Sequence, residues 1–172
     1  MSTGATTAPT IHMSTGCGPR FTVELSANAS RDLEHELRRS FDNRESGGWL
    51  LGVASGRRIS VCAATGPGPN SSRDIGFMTR SLAHGEARAR ARGLSVVGGW
   101  HSHPDGATAL SDDGLSSCSD WFDALRTSDD DPDTTYVELI AARRRGEWKL
   151  TPYVLGAFHG SLLFCERAEI KR

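Results

Sequence analysis

His101 and His103 lie one residue apart in WHSHPDGATALSDDGL, the stretch from Trp100 to Leu115. In an extended strand, residues i and i+2 point to the same side, so the two imidazoles can converge on one ion. Zinc accepts neutral imidazole nitrogens at roughly 2.0–2.1 Å, and a catalytic zinc keeps three protein ligands and one open position for water. An isolated HxH is also what two surface histidines at a strand end look like. Ser111 follows His103 by eight residues, with Asp112, Asp113 and Gly114 directly behind it. Ser111 reads as a helix N-cap, and acids beside a helix N-terminus can simply complement its dipole. The chemistry on offer is the binding of one metal ion.

These residues need elements to hold them. The spacing predicts a buried strand over Ser95–His101 that carries the histidines, with Gly98 and Gly99 permitting close approach of another backbone. A helix is predicted from Ser111 to about Leu125. Upstream, Phe21–Leu25 alternates as a strand, and Ser30–Arg39 reads as a helix with Ser30 as N-cap and Leu33 and Leu37 on one face. RESGGWLLGVAS, Arg44 to Ser55, ends in an apolar strand, and Arg58–Ala64 is a second one after the turn at Gly56. TGPGPNSSRD is a loop and Ser81–Arg92 is helical. SDDDPD is a solvated turn, and late strands fall near Thr135–Ala141, Trp148–Leu155 and Ser161–Cys165. Strands and helices mix without regular βαβ alternation, so the expected class is α+β.

Residues 1–20, MSTGATTAPTIHMSTGCGPR, are small and polar without periodicity and are expected to be a disordered tail, leaving 21–172 as one domain. Met13 begins a second MSTG and is an alternative start to Met1. The 172 residues suffice for a real core. Lys+Arg 20 against Asp+Glu 21 leaves a net charge of −1, which argues against a nucleic-acid partner. No apolar run approaches the roughly 18 residues of a membrane helix, and no secretory signal is visible. Cys17, Cys62, Cys118 and Cys165 form no CxxC pair, so neither a disulfide framework nor a Cys-rich zinc knuckle is expected, and the expected compartment is the cytoplasm. Trp49, Trp100 and Trp121 read as packing residues, and Arg88, Arg90 and Arg92 with Arg80 as a solvated basic face.

His103-Pro104, six residues and then Ser111 resembles the HxHPx6SxxD motif of the JAMM (MPN+, JAB) zinc metalloproteases. Glu45-Ser46-Gly47-Gly48-Trp49-Leu50-Leu51-Gly52 resembles that family's glutamate-bearing segment, and Ala64-Thr-Gly-Pro-Gly-Pro-Asn70 a loop of its short bacterial branch. The pieces occur in the family's order over roughly 21–165. The resemblance implies an MPN/JAB-like mixed β-sheet flanked by helices, a layered core like that of cytidine deaminases. It also implies a Zn2+ cofactor held by His101 and His103. Glu45, otherwise a surface loop acid, becomes the general base toward a water whose pKa zinc lowers to about 7. Ser111 becomes the hydrogen-bond donor to the developing oxyanion.

The motif departs from the family at the third ligand. SxxD counted from Ser111 lands on Gly114, while Asp112 and Asp113 come one and two residues after the serine. A helical step turns a side chain by about 100°. Three readings stand. Gly114 loosens the helix start so that Asp113 turns to the metal; Asp112 or Cys118 substitutes; or the site has lost its carboxylate and the domain is a lapsed enzyme. The family implies cleavage beside the C-terminal tail of a ubiquitin-like or similarly conjugated protein, with E1- and E2-like partners in the same system, in some branches tied to antiphage signalling. The alternatives are a non-catalytic MPN-type interaction module and a processing peptidase of a sulfur-carrier protein.

Overall fold

Ser26 opens the first helix: its Oγ accepts the N–H of Ala29 at 3.1 Å and donates to the carbonyl of Cys62 at 2.9 Å. The helix therefore starts a turn before the expected cap, and Ser30 is already helical, its N–H bonded to the Ser26 carbonyl at 3.0 Å. Ser26 and Ser30 both suit a cap in sequence; the bond to the Cys62 carbonyl ties the earlier one to the sheet. Leu33 and Leu37 are buried as their spacing requires.

The structure is a computed structural model that describes residues 12–13, 21–39, 45–68, 73–74, 77–78, 82–125, 134–158, 162–167 and 169–171. Its elements are β1 (His12–Met13), β2 (Thr22–Leu25), α1 (Ala27–Arg39), β3 (Gly47–Ser55), β4 (Arg58–Ala64), β5 (Arg73–Asp74), β6 (Phe77–Met78), α2 (Leu82–Arg90), β7 (Ser95–His103), α3 (Asp112–Leu125), β8 (Thr135–Arg144), β9 (Glu147–Phe158), β10 (Leu162–Arg167) and β11 (Glu169–Lys171). The fold is α+β. The acidic turn expected over 128–133 lies outside the described residues. So does most of the expected N-terminal tail, apart from His12 and Met13, which pair in parallel with β10.

One mixed sheet runs in the order β1-β10-β9-β8-β7-β3-β4-β2-β11, and β5 and β6 form a separate two-stranded ribbon. β10 and β11 are almost consecutive in the chain, yet β10 pairs antiparallel with β9 while β11 pairs parallel with β2 at the other end. The last two strands thus pair near opposite ends of the sheet, covering edges of β9 and β2 that would otherwise stand open. β11 carries no sequence signal of its own.

Two apolar clusters pack on the faces of this sheet. Leu33 and Leu37 of α1 meet Val23, Leu50, Val61, Trp100, Leu139 and Val154 on one side. Ala89 of α2 and Cys118 and Phe122 of α3 meet Trp49, Leu51, Tyr136, Ile140 and Leu155 on the other. With both faces covered, the central strands read as continuous apolar runs. β3 is buried from Gly47 to Gly52 and β8 from Tyr136 to Ala142. β7 lies between them, antiparallel to β3 and parallel to β8. At Gly98 a Cβ would stand 2.0 Å from the carbonyl oxygen of Val137, so only glycine lets the histidine strand approach β8 this closely.

Candidate metal centre

The histidines end β7 on the face shared with α3, since His101 pairs with Ile140 and His103 with Ala142 across the parallel ladder. Their Nε2 atoms stand 3.0 Å apart. Each ring is held from behind by its other nitrogen. His103 Nδ1 lies 2.9 Å from the carbonyl oxygen of Ala107. A carbonyl only accepts, so this nitrogen carries the proton. His101 Nδ1 lies 2.5 Å from Oε1 of Glu138, whose Oε2 accepts the Tyr136 hydroxyl at 2.7 Å. Glu138 is completely buried. A carboxylate or carbonyl behind the ring nitrogen fixes the tautomer and orients the free lone pair, the arrangement that accompanies metal-binding histidines.

With each Nδ1 turned to its own partner, the two Nε2 atoms face each other at 3.0 Å, a contact that a shared proton or one bound ion can occupy. Two nitrogens on a tetrahedral zinc at roughly 2.0–2.1 Å would be about 3.3 Å apart. The pair is therefore already spaced within a few tenths of an ångström for one ion, and its donor chemistry suits zinc.

The loop behind His103 is built to present Ala107. His103 O accepts the N–H of Gly106 at 3.0 Å, closing the His-Pro-Asp-Gly turn, and Asp105 Oδ1 accepts the N–H of Ala107 at 3.0 Å. Gly106 has φ +83°, and a Cβ there would meet the Arg143 carbonyl oxygen at 2.9 Å, so the turn requires glycine. Arg144 Nε donates to the Gly106 carbonyl at 3.3 Å and the Tyr153 hydroxyl to that of Thr108 at 3.1 Å.

Glu45 is half-buried, its Oε1 3.9 Å from His103 Nε2. That is too long for a hydrogen bond and the right order for one bridging water. The buried Ser102 places it: Ser102 Oγ accepts the Ser46 N–H at 2.9 Å and the Ser102 N–H donates to the Ser46 carbonyl at 2.7 Å. The middle residue of the HxH thus clamps the glutamate segment to the histidine strand.

Ser111 caps α3, its Oγ accepting the Gly114 N–H at 3.0 Å while its carbonyl accepts that of Leu115 at 2.8 Å. As an acceptor in the cap, the hydroxyl keeps its own proton to donate. The helix start is regular. Gly114 is not among the glycines with positive φ, so the loosening expected of it is not seen. Asp113 is exposed in the first turn, its carbonyl accepting the Ser117 hydroxyl at 3.0 Å. A Cβ at Gly114 would instead face Ser111 Oγ at 3.1 Å and Leu110 Cδ1 at 3.2 Å. Cys118 is buried beside Phe122 in the apolar cluster. Among the described residues, no three His, Cys, Asp or Glu side chains gather into a metal-holding group. The structure brings His101, His103 and Glu45 together and does not bring Asp113 to them.

Glu138, behind His101, and Ser102, bonded to Ser46, are contacts of the site that the sequence reasoning misses. The signal for the first is there: one acid inside the apolar run Tyr136–Ala142, where a buried charge must have a partner. Trp49 and Trp100 are fully buried, Trp100 donating its indole N–H to the Thr65 carbonyl at 2.9 Å, and Trp121 stands edge-on to Trp49 with centroids 4.9 Å apart.

The family described as prokaryotic homologs of the JAB domain matches residues 26–149. The chain belongs to that family. The match to the prokaryotic JAB domain runs from Ser26 through the glutamate segment, the histidine strand and α3 to β9. Among curated proteins nothing matches the chain. Of solved structures, a protein from Desulfitobacterium hafniense is similar over 87% of this chain and 91% of its own, with a TM-score of 0.59 at 16% identity. A protein from Salinibacter ruber is similar over 87% and 90%, with a TM-score of 0.52 at 23% identity. At these identities the likeness is one of fold, and it agrees with a JAB-like domain. Among the described residues no helix is long and apolar enough to cross a membrane.

Proposed function

We propose that this JAB domain is a zinc-dependent peptidase or isopeptidase that cleaves at the C-terminal tail of a ubiquitin-like or similarly conjugated protein. One observation carries the reading: two imidazoles, each anchored through Nδ1, turn their Nε2 atoms to one point, with a carboxylate one water away. His101 and His103 would hold the ion. When bound, zinc lowers the pKa of water and polarises the scissile carbonyl. Glu45 takes the proton from the attacking water and returns it to the leaving amine. Ser111 donates its hydroxyl proton to the oxygen on which charge develops. Glu138 and Ala107 keep the imidazoles in the tautomer that turns an unprotonated Nε2 to the ion.

A second reading, a catalytically lapsed MPN-type interaction module, has its own support in Gly114 and the exposed Asp113. Metal analysis separates the two. The enzyme reading expects about one zinc per chain, lost in His101→Ala or His103→Ala. It expects Glu45→Gln to keep zinc and fold while cleavage of a ubiquitin-like tail fusion drops by roughly 10²–10⁴. Wild-type protein unable to take up zinc would overturn it. An E1-like and an E2-like protein encoded beside this chain would favour a conjugation system over processing of a sulfur carrier.

A further inference from the structure

The strands that carry and flank the histidines run on into a strongly cationic tip. β8 and β9 are joined by Arg145 and Gly146, with φ of 52° and 85°. Two successive positive φ values make the hairpin turn that favours Asn-Gly. An arginine instead occupies the first position, in a region that side chains other than Asn, Asp and Gly disfavour. Arg143 and Arg144 precede it and Lys149 follows, all exposed, with Glu147 as the one acid between.

Register fixes the tip relative to the candidate site. Lys149 pairs with Ala142, and Ala142 with His103. Paired residues share a face, so Lys149 and Arg144 lie on the same face as the two histidines. Arg145 is three residues beyond Ala142, about 10 Å further along the strand. Arg144 also grips the Gly106 carbonyl, in the loop that presents Ala107 to His103. On the other face, Arg143 stacks over the Trp148 ring, 5.9 Å from its centroid.

We propose that this tip is a docking surface for an acidic stretch of the protein substrate, lying about three residues from the bond placed at the histidine pair. The substrate class rests on the peptidase reading above; the binding does not. A chain extended along the strand advances about 3.3 Å per residue, so its third residue from the reacting bond reaches Arg145. Carboxylates complement Arg144, Arg145 and Lys149. A nucleic acid is the poorer match, since the chain as a whole carries a net charge of −1 and the cations are confined to one turn.

The test measures binding rather than cleavage. A fluorescein-labelled decapeptide alternating Glu and Gly, and its Gln counterpart, are titrated with the full chain at low salt and followed by fluorescence anisotropy. Arg145→Gly combined with Lys149→Gln removes two charges, relieves the unfavourable φ and leaves the Arg144 hydrogen bond intact, so the fold is kept. Affinity for the acidic peptide is expected to fall roughly tenfold, the combined worth of two ordinary exposed ion pairs. Removing the same charge from α2, with Arg88→Gln and Arg90→Gln, should leave it unchanged. Equal weakening in both double variants, no preference over the Gln peptide, or tighter binding of a single-stranded oligonucleotide to the same tip would each overturn the proposal. His101→Ala is expected to bind the peptide like wild type. Tip-dependent binding in a protein that takes up no zinc would support the docking surface while the enzyme reading falls. Zinc uptake and cleavage without tip-dependent binding would overturn the docking surface alone.

Discussion

Replacing Glu138 with glutamine removes one charge from the interior and almost nothing else. The amide keeps the shape of the carboxyl; its oxygen can accept the His101 Nδ1–H, and its NH2 can donate to the Tyr136 hydroxyl, which reverses its role. What is lost is charge assistance. A hydrogen bond to a charged group is worth about 1.5–3 kcal/mol and a neutral one about 0.5–1.5. The difference is about 1–1.5 kcal/mol, or roughly tenfold in affinity, at the lower end of the 10–100-fold typical of partners behind a metal ligand. A buried charge also has a large desolvation cost, so the metal-free Glu138→Gln protein should be as stable as wild type or more so. The expected signature is thus divergent: zinc affinity down about tenfold in a chelator competition titration, with the thermal midpoint of the metal-free protein unchanged or raised. Glu138→Ala makes the contrast, since it leaves the buried Tyr136 hydroxyl and the His101 Nδ1–H without this partner and should cost about 1–3 kcal/mol for each. If Glu138→Gln bound zinc like wild type and melted earlier, the carboxylate would belong to the fold and not to the metal.

Ser102→Ala removes the acceptor of the Ser46 N–H and should cost about 1–3 kcal/mol; cleavage should fall while zinc stays bound, because the loss falls on Glu45 and not on the imidazoles. Gly114→Asp places a carboxylate on the side of α3 that faces Ser111 and should raise zinc affinity, with Asp113→Ala silent in the same titration; a large loss from Asp113→Ala would show that the exposed carboxylate turns inward when metal arrives. Thr151 is buried and its hydroxyl has no partner among the described residues, so Thr151→Val should stabilise by up to about 1 kcal/mol in urea unfolding, and a destabilised variant would mean the hydroxyl is satisfied by a buried water.

The histidine strand and the serine cap are legible in the sequence because each is a short-range pattern, whereas Glu45 is picked out only by the family resemblance. Two imidazoles share a face by strand alternation, and a serine before a periodic run caps a helix. Leu33 and Leu37 are legible for the same reason. Glu138 and Ser102 act on neighbours 37 and 56 residues away in sequence, and no spacing rule reaches that far without knowing which strands pair. The first helix cap is a local ambiguity: Ser26 and Ser30 are one turn apart, and only the Cys62 carbonyl, supplied by β4, decides between them. Gly114 misleads through the general freedom of glycine. Inside a helix whose cap is formed by Ser111 and whose first bond is made by Leu115, that freedom is not used.

The last strand has a kinetic side. Thr22 pairs with Glu169 and Lys171 with Glu24, so the seam joins opposite ends of the described chain. Pairings this distant in sequence raise contact order, and the loop entropy they cost must be met before they return any stabilisation. The seam is therefore expected to form late, after the β3–β7–β8 centre has assembled around the histidines. Until it does, β2 is an open edge on a half-built sheet, the kind of intermediate that pairs with other molecules. Refolding should then show a slow phase and concentration-dependent losses that a substitution at Ile170 enlarges, while the native protein, with the seam formed, exchanges its β2 amides slowly.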